Sequence, residues 1–71
     1  MNSEGGEEIM QFTPKELRAR TGESQRDVAK ILGISYQTYC SWENNLAKVP
    51  IGKVAMLCEH FDIKLSEIKY D

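Results

Sequence analysis

The sequence predicts an all-α domain built from five short helices. Three observations carry that reading. Thr13-Pro14-Lys15-Glu16 and Ser24-Gln25-Arg26-Asp27 each place an acid three residues after a hydroxyl, the spacing that closes the open amides at a helix start. The apolar residues that follow recur at helical intervals and stop at Gly22 and Gly33. No stretch alternates apolar and polar residues with the period of a strand.

Taken in order, residues 1–11 read as a flexible acidic tail, because Ser3, Gly5, Gly6 and the glutamates 4, 7 and 8 offer little to bury. Residues 12–71 form the folded domain. Thr13 caps the first helix, Pro14 occupies its first position, Leu17 is its main apolar residue and Gly22 ends it. Ser24 caps the second helix. Val28 and Leu32 share one of its faces with Ala29 beside them, and Gly33 closes it in the left-handed conformation that glycine adopts cheaply. Ser35 caps a third helix running through Glu43, with Tyr39 and Trp42 facing inward. Asn44-Asn45 is a turn, with Asn45 suited to a left-handed backbone. Residues 46–49 form a loop, and Pro50 starts a fourth helix that reaches about Phe61, with Val54, Leu57, Cys58 and Phe61 on one face. Leu65 to Lys69 supply a last helical turn or two.

Size and composition narrow the function. A chain of 71 residues is one small domain with a thin core. No apolar run approaches the roughly 20 residues of a membrane helix, and the acidic start does not resemble a secretory signal. Two cysteines are too few for a disulfide framework, so a cytoplasmic setting with reduced thiols is expected. There is no Gly-rich phosphate loop, no nucleophile with a paired base and only one histidine, so no enzymatic activity and no small-molecule substrate are expected. Cys40, Cys58 and His60 lack a fourth ligand, and Cys58-x-His60 on a helix aims its side chains to opposed sides, so neither metal nor cofactor is expected. The net charge of −2 hides a segregation: residues 14–54 carry +3 between ends of −3 and −2. A locally basic face binds phosphate on an acidic molecule because screening shortens the reach of the remote acids.

Residues 25–44 form the most informative unit. Two short helices meet across Gly33 with almost no connector. Such a corner needs a small residue at the close approach, which Ala29 supplies. It also needs apolar residues pinning both helices to one core, which Val28, Leu32, Ile34, Tyr39 and Trp42 supply. The stretch Ser24-Gln25-Arg26-Asp27-Val28-Ala29-Lys30-Ile31-Leu32-Gly33-Ile34-Ser35-Tyr36-Gln37-Thr38-Tyr39-Cys40-Ser41-Trp42-Glu43-Asn44 resembles the Cro/repressor-type (lambda-repressor-like) helix-turn-helix family of phage and bacterial regulators. The resemblance extends over about residues 13–68.

That resemblance implies a compact five-helix domain that binds double-stranded DNA as a transcriptional regulator. The third helix would lie in the major groove, presenting Tyr36, Gln37, Cys40 and Ser41 to base edges. Gln37 has an amide that can pair bidentately with adenine N6 and N7 or hydrogen-bond guanine. Gln25 corresponds to the family's backbone clamp. Ser35, Thr38, Asn44, Asn45 and Lys48 are the further expected phosphate contacts. Two features depart from the family pattern. The third helix carries no basic residue from Ser35 to Glu43, and Tyr39 stands where an aliphatic residue is usual. A homodimer is expected through residues 63–70, where Ile63, Leu65, Ile68 and Tyr70 gather. Two alternatives stand beside this reading: a DNA-binding antitoxin whose acidic tail meets a basic toxin, and a helix-turn-helix domain reused for protein interaction.

Overall fold

Each helix begins where the backbone amides find a local acceptor. The computed structural model describes residues 10–70, and the expected tail falls mostly outside them, at residues 1–9. Helix α1 spans Pro14–Thr21, α2 Gln25–Leu32, α3 Tyr36–Asn44 and α4 Ile51–His60. Single 3₁₀ turns occupy Leu46–Lys48 and Leu65–Glu67. Both expected capping boxes form: Thr13 and Glu16 exchange side-chain and backbone hydrogen bonds, as do Ser24 and Asp27. These bonds hold the Glu16 and Asp27 carboxyls below their ordinary pKa, the backbone amides of Thr13 and Ser24 being the larger cause in each case.

Four helices and two 3₁₀ turns replace the five expected helices, and the described residues contain no strand beyond one isolated bridge. The fifth element stops after Glu67 because Ile68 turns extended (φ −85°, ψ 138°) to pair with the chain's other end. Phe12 N–H donates to Glu67 O at 2.8 Å, and Lys69 N–H donates to Phe12 O at 2.7 Å. Gln11, expected in the tail, also reaches this segment, its Nε2 donating to Ser66 O at 3.3 Å.

Three local expectations shift. Helix α3 continues one residue further, to Asn44. Asn45 is not left-handed but extended in φ (−152°). Pro50 caps α4 from outside with ψ 143°, and Ile51 is the first helical residue. Among the described residues the left-handed non-glycine residue is Asp62 (φ 57°), just after α4, a conformation that aspartate tolerates better than most.

One apolar cluster joins the four helices, the first 3₁₀ turn and the C-terminal segment: Leu17, Val28, Ala29, Tyr39, Trp42, Leu46, Val54, Leu57, Cys58, Phe61 and Ile68. The buried face of α4 is the expected one, whereas Leu32 and Ile34 only edge the cluster. Ile68 is 1% exposed and belongs to the monomer's core, so it is removed from the expected dimer patch. Leu65 and Tyr70 of that patch are exposed, and Ile63 is half-buried.

Candidate nucleic-acid interface

The corner between α2 and α3 is closed by backbone geometry. Gly33 adopts φ 73°, so the chain reverses without the penalty a side chain would carry. Its amide donates to Lys30 O at 3.2 Å, and Ile34 N–H donates to Ala29 O at 3.0 Å. The 6→1 bond and the 5→2 relation of this cap satisfy carbonyls that the helix end would leave open. Ala29, 3% exposed, lies beneath the corner. Tyr39 and Trp42 anchor α3 from below, their ring centroids 6.4 Å apart in a tilted pair.

With that face buried, the other face of α3 points outward. Tyr36, Gln37, Thr38 and Ser41 are exposed, and Cys40 is half-buried instead of fully open. Gln37 makes no hydrogen bond among the described residues, so its amide is available to a ligand. Ser41 is partly engaged, its hydroxyl donating to Thr38 O at 2.8 Å. Ser35 accepts from Thr38 N–H at 3.0 Å and donates to Thr38 Oγ1 at 2.8 Å, which caps α3 and leaves the Thr38 hydroxyl proton free.

Behind α3 a charged network fixes its angle to the other helices. Arg18 grips Glu43 with two bonds, Nε to Oε2 at 2.5 Å and Nη2 to Oε1 at 3.1 Å. Both side chains are largely buried, 16% and 7% exposed. Gln25 Nε2 also donates to Glu43 Oε1, at 3.0 Å. Gln25 therefore bridges α2 to α3 and is only partly turned outward. Burial alone would raise the Glu43 pKa, but the Arg18 guanidinium, with the Tyr39 hydroxyl and the Gln25 amide beside it, outweighs it and holds the carboxyl below its ordinary value. The Tyr39 hydroxyl is buried beside this pair and has no hydrogen bond of ordinary geometry among the described residues. Burial, reinforced by the Glu43 carboxylate as a nearby acceptor and charge, pushes its pKa far up.

The same network floors an open cleft of about 410 Å³ lined by Thr13, Pro14, Lys15, Arg18, Gln25, Glu43 and Asn44. A second depression of about 290 Å³ lies past the end of α3, with Ser41, Asn45 and Lys48 at its polar edge. The structure thus brings Gln25 and Asn44 together on one cleft, and Ser41, Asn45 and Lys48 on the other. It separates Ser35 and Thr38, at the start of α3, from both. Sequence reasoning missed two cations here. Lys15 lines the first cleft. Arg26 lies over the Tyr36 ring, with its guanidinium carbon 4.1 Å from the ring centroid. The spacing of Arg26 and Tyr36 carries no signal for that contact, which exists only because α2 and α3 cross where they do.

Cys58 lies in the core, and His60 pairs with Glu23, its Nε2 2.9 Å from Oε2, tying the end of α4 to the α1–α2 turn. Among the described residues no helix is long and apolar enough to cross a membrane.

A helix-turn-helix family model matches residues 15–68 of the chain. No curated protein and no solved structure matches it.

Proposed function

The chain belongs to the helix-turn-helix family, in its Cro/repressor-type branch, and is a DNA-binding regulator; from that premise we propose that it binds specific double-stranded operator sites and regulates transcription there. The folded unit of residues 12–71 docks α3 in the major groove. Gln37 reads a base edge, flanked by Tyr36, Cys40 and Ser41. The observation that carries this reading is the exposed Gln37 amide, unpaired among the described residues, on the outer face of a helix held from behind by buried rings and ions. A reader that is rigid in the free protein loses little entropy when it meets a base.

Phosphates flank that contact. Gln25, Asn44 and the cleft cation Lys15 meet one strand, while Asn45 and Lys48 meet it further along, and Ser35 and Thr38 serve the start of α3. Helix α3 carries no Lys or Arg, so electrostatic affinity comes from neighbouring elements and the salt dependence is shallow, about −0.9 in log–log slope per phosphate neutralised. A homodimer completes the reading. Leu65 and Tyr70, both 42% exposed, and the adjacent Met56, 39% exposed, supply an apolar contact. Two copies would then read half-sites about 34 Å apart.

Selection of bound duplexes from a random pool tests the proposal. An enriched, two-fold symmetric site is the expected result. Enrichment of no sequence, with no binding to any duplex at low salt, would move the chain to the protein-interaction reading. Sedimentation at high micromolar concentration checks the dimer separately, and a monomer there removes it.

A further inference from the structure

The outer face of α3 has no positive charge of its own, since the only ion on that helix, Glu43, is consumed by Arg18. One cation nevertheless reaches its start. Arg26, the second residue of α2, stacks over the ring of Tyr36, the first residue of α3, at 4.1 Å. Both side chains are exposed. Among the described residues Arg26 has no acid partner and no side-chain hydrogen bond, and the ring is its contact. Such stacking covers the flat face of the guanidinium and leaves the N–H donors on its edge free.

We propose that Arg26 is a specificity-determining residue, held by the Tyr36 ring so that its donor fork reads a guanine in the major groove beside the base met by Gln37. The inference rests on the DNA-binding reading above and adds a second reader that comes from the other helix. The physical case is preorganisation. A free arginine loses much rotamer entropy on fixing its fork, and a stacked one has already lost part of it. Location decides between a base and a phosphate. The platform is the first residue of the recognition helix, and that end of the helix lies at base edges in this docking mode. Guanine O6 and N7 form the acceptor pair that matches a planar fork. Tyr36 is a positioning residue in this pair, whatever contact it makes itself.

The test is base preference, position by position, in the site selected by the parent protein, measured for four variants whose folding is checked by thermal melting. Arg26→Lys keeps the charge and loses the fork. It should lower the preference for guanine at one position by about tenfold or more and leave the position read by Gln37 intact. Arg26→Ala should do the same. Tyr36→Phe keeps the platform and should keep that guanine preference. Tyr36→Leu removes the platform and should erode preference at the same position as Arg26→Lys. The proposal is overturned if the arginine variants change no position. It is equally overturned if Arg26→Ala weakens all sequences alike, which is the mark of a phosphate contact, or if Tyr36→Leu spares the arginine-dependent position. A parent protein that selects no site overturns this inference and the DNA reading together, whereas a selected site indifferent to Arg26 overturns this inference alone.

Discussion

Gln25 and Gln37 stand at the starts of consecutive helices and carry the same amide to different ends. Gln25 turns inward and donates to Glu43, which Arg18 also holds. Gln37 stays exposed and unpaired among the described residues. The difference lies in what each position faces across the corner. The start of α2 looks onto a buried carboxylate that needs donors, and the start of α3 looks onto solvent. The lesson is a division of labour: the inner side of the corner spends its polar groups on rigidity, and the outer side keeps its own unspent.

The largest perturbation should abolish the comparison altogether. Trp42→Ala removes the ring beneath α3 and should cost about 3–5 kcal/mol, enough to unfold a domain this small in a thermal or urea melt. Glu43→Ala should come next. It strands a largely buried Arg18 and should cost about 3 kcal/mol, read as a lower denaturant midpoint. The same carboxyl sets an acid limit. Its pKa is lowered in the folded state, so its contribution is fully present above the unfolded glutamate value, about 4.3, and is lost as pH falls through the lower folded value. Melting measured from pH 6 down to about 2 should therefore fall less steeply in Glu43→Gln than in the parent.

The two glutamines give the finer separation. Gln37→Ala should weaken binding to the selected site by about 1–3 kcal/mol and spare random duplex. Gln25→Ala should weaken both alike and lower stability by about 1 kcal/mol. Equal behaviour of the two mutants in titrations with both duplexes would erase the distinction drawn between the helix starts. The smallest effect is expected at Tyr39→Phe. The hydroxyl it removes is buried and makes no hydrogen bond of ordinary geometry among the described residues, so stability should change by less than about 1 kcal/mol. A larger loss would place that hydroxyl within the Glu43 network.

Much of the fold is legible along the chain because its signals are local. The capping residues Thr13 and Ser24, the stops at Gly22 and Gly33 and the apolar spacing of α4 each act within a few residues, and each appears where expected. The legible part of the site is its frame. Tyr39 and Trp42 are inward, which leaves Tyr36, Gln37 and Ser41 outward. Local signals failed where two distant segments compete for the same backbone. Ile68 looked like part of an exposed apolar end, but Phe12 draws it into an extended bridge and the core takes its side chain. Gln25 looked like a simple clamp because a one-dimensional pattern does not place Glu43, 18 residues on, against its amide.

By itself the sequence determined where helices start and stop and which side of each is apolar, because capping, glycine freedom and amphipathic spacing are properties of neighbouring residues. Only the tertiary structure decided how the polar side chains pair: Arg18 with Glu43, Gln25 with the same carboxylate, Arg26 with Tyr36. The first depends on how α1 lies against α3 and the other two on the angle at which α2 crosses α3. Both arrangements are set by the packing of Leu17, Val28, Ala29, Tyr39 and Trp42 in a shared core, to which each helix contributes only a part.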